Sequence, residues 1–193
     1  MDYTLSYDRN NNDLYIHDDI LCLNYSETLQ SFISFYDYID VSQMKNVWDE
    51  FISINTSTDV DGKVTSNIWL TNKGDYNSFY GTQKPFSVEY LINPEPINDK
   101  VFNTFEYRLN DQTIDWNSVV VSNWYQIGEL NSNQFKANMK RKFNVNRVQL
   151  PRQNNSLNRI RSTWMKLKVA HEVTTINSNN KFDMQDLNIT YTI

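Results

Sequence analysis

Cysteine, histidine and alanine are nearly absent from this 193-residue chain: Cys22, His17, His171, Ala137 and Ala170 are all there is of the three types. One thiol cannot close an intramolecular disulfide, so nothing points to an oxidising compartment. Three Cys and His residues also fall short of the roughly four ligands of a structural zinc site. The lack of alanine argues against a helical bundle. Four glycines leave little room for phosphate or dinucleotide loops, and no Gly-x-Ser-x-Gly motif occurs. No apolar run approaches the roughly 18 residues of a membrane-crossing helix. Met1-Asp2-Tyr3-Thr4 does not read as the start of a secretory leader. One shortage is local. Between Leu130 and His171 there is no acidic residue, while ten of the chain's 18 basic residues fall there. The remainder holds eight basic residues against all 23 acidic ones.

What is abundant is asparagine, the commonest residue, together with 12 Tyr and 10 Phe. Aromatics bury much area each, so a core is feasible at 39% hydrophobic content. Tyr, Thr and Val with Asn-rich turns favour an all-β fold. Tyr3, Leu5 and Tyr7 alternate before an Asx-rich turn, and Leu14 and Ile16 alternate after it, which predicts a β-hairpin. Leu21 and Leu23 suggest a third strand, and Phe32 to Ile39, apolar on both faces, a central one. Met44, Val47, Trp48 and Phe51 fall at i, i+3, i+4 and i+7 after Ser42, a spacing that a short amphipathic helix fits as well as a strand does. Asp59-Val60-Asp61-Gly62 has the opening of a calcium loop but none of its later ligands, so it reads as a hairpin turn.

A boundary is expected near Thr82 to Pro85, separating residues 1–84 from residues 85–193. Pro85 precedes a strand from Phe86 to Ile92, and Asn93-Pro94-Glu95-Pro96 is a stiff connector. Phe105, Tyr107 and Leu109 alternate. Val119 to Ile127 and Phe143 to Leu150 each read as one strand. Met165, Leu167 and Val169 alternate with Lys166 and Lys168, giving an apolar and a basic face. Leu187, Ile189, Tyr191 and Ile193 form a last strand. The second part thus reads as an antiparallel sandwich or jelly roll.

Three stretches together resemble the C-terminal region of the muzzle, or tail stabilisation, proteins of crAss-like bacteriophages. They are Leu29 to Tyr38; Phe79-Tyr80-Gly81 through Lys84-Pro85, Asn93 to Pro96, Asp99 to Asn103 and Glu106-Tyr107-Arg108; and Val148 to Arg152 with Arg159, Arg161 and Trp164 to Val169. The resemblance implies a propeller-blade-like antiparallel sheet in the first part. It also implies a virion component near the end of a short tail, made in the host bacterial cytoplasm and working by contact with other tail subunits. It supplies no catalytic residues and no cofactor.

Asp18 with Asp19, or Asp111 with Asp115, are the carboxylate pairs a glycosidase reading would use, yet any acidic chain offers such pairs and no enzyme is expected. The cations Lys140, Arg141, Lys142, Arg147, Arg152, Arg159, Arg161, Lys166 and Lys168 are instead candidates for subunit contact on one side of the sandwich. Their partner would be an acidic neighbour, including the acidic part of an identical subunit in a head-to-tail ring. Lys140-Arg141-Lys142 with Phe143 and Trp164 mixes cations and aromatics as nucleic-acid sites do. The acidic remainder disfavours that reading except toward a passing genome. The surplus of Tyr, Trp and Asn also suits a carbohydrate- or host-receptor-binding module, the alternative function.

Overall fold

A computed structural model describes residues 3–38, 41–75, 78–109, 115–171 and 183–193. Two compact units divide the chain, Met1–Lys84 and Pro85–Ile193. Both are built from antiparallel sheets, so the fold is all-β.

In the first unit, β1 (Thr4–Asp8), β2 (Asp13–His17), β3 (Cys22–Ser26) and β4 (Ser31–Tyr36) form an antiparallel meander in sequence order. The β1–β2 turn forms because the Asp8 carboxylate accepts the Asn10 amide and the Asn11 side chain, and Asn12 takes φ +56°. Four meandering strands are the strand count of one propeller blade; no closed propeller or barrel forms among the described residues. β5 (Val41–Val47), β6 (Glu50–Thr58) and β7 (Val64–Leu70) make a second sheet, and β8 (Ser78–Phe79) with β9 (Thr82–Gln83) a small hairpin. Tyr15 of the first sheet stacks on Phe51 of the second at 5.4 Å, in a core shared with Cys22, Tyr38, Val41 and Met44.

The side facing away from that core is apolar. Pairing in register lines up Leu5, Ile16, Leu23 and Phe35 in one row across the four strands, and Tyr7, Leu14, Tyr25 and Phe32 in the next. The inward side holds polar Ser6, Asp8, His17, Asn24 and Ser26, all buried.

One open reading closes here and one expectation changes. Ser42 to Phe51 is a hairpin and not a helix. Val47 pairs with Glu50 across a turn led by Trp48 at φ +52°, which leaves Trp48 86% exposed while Met44 and Phe51 are buried. Apolar spacing alone cannot separate a helix face from two strands meeting at a turn. The stretch from Phe32 belongs to an edge strand, not a central one, and its last residue, Ile39, lies outside the described residues. Asp59 to Gly62 is a hairpin turn as expected, with the Asp59 carboxylate accepting the amides of Asp61 and Lys63.

The second unit contains β10 (Phe86–Ile92), β11 (Lys100–Leu109), β12 (Ser118–Ser122), β13 (Ile127–Leu130), α1 (Ser132–Asn138), β14 (Met139–Lys142), β15 (Val145–Gln149), β16 (Arg161–Ser162), β17 (Met165–His171) and β18 (Met184–Thr192). One sheet runs β10-β17-β12-β13; the other runs β14-β15-β11-β16, with β18 also pairing β11. Phe105, Tyr107 and Val148 from one sheet and Val119, Val121, Leu167 and Val169 from the other are all fully buried in a single core. Two sheets sharing one core by their inner faces make a sandwich. Each such side chain contributes roughly 1.5–3 kcal/mol on burial.

Val119 to Ile127 is two strands, because the Asn123 carboxamide accepts the amides of Tyr125 and Gln126 and turns the chain. Phe143 is likewise a turn residue. Phe143 and Asn144 sit at φ +50° and +61°, the geometry of a tight hairpin between β14 and β15. Helix α1 had no expectation behind it. Asn131 accepts the Gln134 amide while the Gln134 side chain accepts the Asn131 amide, a capping box, and Phe135 anchors the helix in the core.

Candidate subunit-contact surface

Charge separates by unit. Residues 1–84 carry 13 acidic and 5 basic residues, net −8; residues 85–193 carry 10 and 13, net +3. In the second unit the position of each cation follows from strand register, since paired residues share a face.

On β14, Lys140 lies opposite Arg147, and Arg147 lies opposite Glu106. These face away from the core, because Val148, Phe105 and Tyr107 between them face into it. Lys142 stands on the same side as Lys140. Arg147 is paired with Glu106, and Arg108 reaches Asp186 at 3.5 Å. Lys140 and Lys142 have no ion pair among the described residues. Arg141 points the other way, toward the Tyr107–Asp115 pair, where its charge favours the ionised form of both.

Lys166 and Lys168 are elsewhere. β17 pairs with β10 and β12, so these lysines lie on the outer face of the other sheet. There Lys166 bridges Glu89 at 3.2 Å, and Lys168 stands opposite the same Glu89 in register. The nine cations are therefore not on one side of the sandwich. Sequence alternation shows which residues share a strand face, not which sheet the strand joins.

Arg152, Arg159 and Arg161 form a third group on the segment from Pro151 to β16. Arg152 Nη1 donates to the Leu157 carbonyl at 2.8 Å, and Arg159 donates to the Asn103 side chain. The Gln126 carboxamide accepts the Arg161 amide at 2.8 Å and donates to the Arg159 carbonyl, so the β12–β13 turn holds this segment. The same turn displays Trp124, 79% exposed, and Tyr125, 90% exposed, and Trp124 meets Trp164 edge-on at 5.4 Å. Sequence reading missed Trp124 and Tyr125 as surface residues because it placed them inside a strand. Gly128 allows the close approach: a β-carbon there would lie 2.4 Å from the Arg152 carbonyl oxygen.

The first unit holds a cavity of about 440 Å³ lined by Tyr36, Tyr38, Trp69, Phe79 and Tyr80, with Asn72, Lys73, Asp75 and Ser78 among its polar groups. Asn72 fixes one wall, since its amide donates to the Tyr38 hydroxyl and its side chain to the Tyr15 hydroxyl. Burial pushes the Tyr38 hydroxyl up to about 12.

The muzzle protein of Bacteroides phage crAss001 is 37% identical to this chain over 179 residues, covering 87% of the chain. The crassvirus muzzle protein family matches residues 1–57, and the crassvirus muzzle protein C-terminal domain matches residues 74–153. The chain belongs to the crassvirus muzzle protein family. It spans 12% of the length of the crAss001 relative. The muzzle C-terminal domain match takes in Lys140, Arg141, Lys142, Arg147 and Arg152 and stops before Arg159. The first muzzle match spans the whole β1–β4 sheet, β5 and most of β6.

The groups that chemistry would use are occupied structurally. Asp18 accepts the amides of Ile20 and Leu21, which holds its carboxyl below the ordinary range. Asp115 accepts the Tyr107 hydroxyl and the Trp116 amide, while burial raises its pKa; Asp111 lies outside the described residues. His17 is buried against the Ser6 hydroxyl at 3.1 Å, and His171 Nδ1 meets the Asp115 carbonyl at 2.7 Å. Burial pushes the Cys22 thiol up to about 12. No cluster of three metal-ligating side chains occurs among the described residues.

Proposed function

We propose that this chain is a non-enzymatic structural component of a phage tail, acting at the tail end through contacts with other tail subunits. It is made in the host cytoplasm and works in the virion as a homo-oligomeric ring. The observation that carries this reading is the charge split between the units, −8 against +3, in a chain of the muzzle family. Complementary surfaces of this kind steer subunits together and fix their orientation. Lys140 and Lys142, free of ion pairs among the described residues, are the first contact candidates, with Arg147, Arg152, Arg159 and Arg161 beside them. Arg141, turned toward Asp115, and Lys166 and Lys168, matched by Glu89, rank below them. The test is co-assembly. Mixed with purified tail proteins, the chain should enter a stable complex, and reversing Lys140 and Lys142 to Glu should weaken it.

A second reading, carbohydrate or host-receptor binding, has one observation in its favour. The aromatic cavity of the first unit has the volume of a small-ligand site and joins ring faces to hydrogen-bonding groups. A glycan array with no hits removes this reading.

A further inference from the structure

The outer face of the β1–β4 sheet carries two cross-strand rows of apolar side chains and no charged one. Leu5, Phe32 and Phe35 are 65%, 60% and 67% exposed. At about 4.8 Å between strands and 3.4 Å per residue, a face of four strands by five residues covers on the order of 300 Å² before side-chain relief is counted. That is the size of the largest apolar patch on an ordinary monomer, and such patches mark interaction sites. The face is also inverted with respect to composition, since the polar Ser6, Asn24 and Ser26 are the buried ones. An antiparallel sheet with one solvated face ordinarily turns its polar side to water.

The outer face of the β5–β7 sheet, on the far side of the same core, is mixed, with an apolar patch beside Gln43, Lys45 and Glu50. Register places Ile52 beside Leu70 and Ile54 beside Ile68, with Lys45 next to Ile52. Ile68 is 70% exposed and Leu70 52%. Glu50 on this side is matched by Lys73, whereas Lys45 has no ion pair among the described residues. The first face has the opposite rim: Glu27 stands at its edge, accepting the Tyr7 hydroxyl at 2.8 Å.

We infer that copies of this chain join through these unlike faces, the β1–β4 face of one copy on the β5–β7 face of the next. Two observations choose this occupant. Each copy carries both faces. Glu27 at the rim of the first face complements Lys45 on the second. A contact between unlike faces is heterologous and propagates head to tail, closing into a ring when the rotation allows. The inference rests on the subunit-contact reading, and names a contact between copies in the first unit in addition to the cations of the second. At this area each contact is modest, so assembly should depend on concentration.

The test uses the whole chain in sedimentation velocity with two single variants, Phe35→Lys and Ile68→Lys, each placed where lysine meets solvent and each checked for folding by circular dichroism. Wild type should self-associate as concentration rises to about 100 µM, and should persist at roughly 0.5 M salt, where exposed charge contacts are screened. Each variant alone should be monomeric, because one of its faces is blocked. Mixing the two should restore a one-to-one heterodimer, since each supplies the face the other has lost. A wild type that stays monomeric overturns the inference, even if it co-assembles with other tail proteins as proposed above. Ile68→Lys dimerising by itself overturns it as well, because that result means the first face pairs with its own kind. Oligomers that survive both variants but dissolve on reversing Lys140 and Lys142 would leave the charge-based contact standing and remove this one.

Discussion

Phe32 and Phe35 stand on the same face of the first sheet although they are three positions apart. Phe32 pairs with Tyr25 and Phe35 with Leu23, and the register shifts between these pairs so that Ile33 has no partner. Without that irregularity, alternation would send one ring inward. The consequence for stability is testable. Phe35→Ser should change the unfolding free energy by less than about 0.5 kcal/mol, as at other exposed positions. Phe51→Ala, in the buried core beneath Tyr15, should cost about 3–5 kcal/mol. Urea unfolding of the two variants checks the contrast.

Lys100 is fully buried, and its ammonium donates to the carbonyls of Glu95 at 2.8 Å and Asn98 at 2.9 Å. It ties the proline-bearing connector to the start of β11. Lys100→Met keeps the aliphatic stem and removes both donors, so about 1–3 kcal/mol of stability should be lost. Chemical denaturation reads this directly. A variant as stable as wild type would show that those carbonyls find other donors.

Burial lowers the pKa of His17 below the ordinary imidazole value of 6.5. The unfolded chain therefore binds a proton at this site more readily than the folded one. His17 burial is compatible with full stability above about pH 6.5, and stability falls as the pH drops below it. The melting temperature should decline from pH 7 toward pH 5, and less steeply in His17→Gln. An equal slope in both proteins would assign the pH dependence to other groups.

Cys22 is buried, with its thiol pushed up to about 12, so little thiolate exists at neutral pH. It should resist maleimide in the native protein and react fully in denaturant. Fast labelling of the native chain would contradict the packing of the first unit.

The strands with an unbroken alternating pattern were legible in the sequence; the one from Phe86 to Ile92 keeps both its bounds, whereas β11 begins five residues before Phe105 and β18 three before Leu187. The hairpin around Asp8 to Asp13, the strand from Phe86 to Ile92 and the apolar and basic faces of β17 follow from period two alone. Where the sequence misled, a turn lay inside an apolar run. Trp48, Asn123 and Phe143 all sit at hairpin tips, and none is a glycine or proline that would have marked the break. Helix α1 was missed because seven residues give no periodicity, although the Asn131–Gln134 box was present to be found. The candidate contact residues were legible as a charge run. Their division between two sheets was not, because β17 joins β10 and β12 through pairings distant in sequence.

Gly128 lets β13 pass against the backbone of Pro151 and Arg152. Gly128→Ala should push that segment away, at a cost of roughly 1–3 kcal/mol, and should move Arg152 with it. Weakened co-assembly together with lowered stability is the expected result. Unchanged stability would mean the segment gives way freely.

Holding subunits together is the proposed work of this muzzle-family chain. Native mass spectrometry of the purified chain, alone and mixed with the other tail proteins of its phage, tests it most directly. Oligomers of the chain and a defined complex with at least one tail protein are expected, weakened by Lys140→Glu with Lys142→Glu. A chain that remains monomeric and binds none of the tail proteins would contradict it.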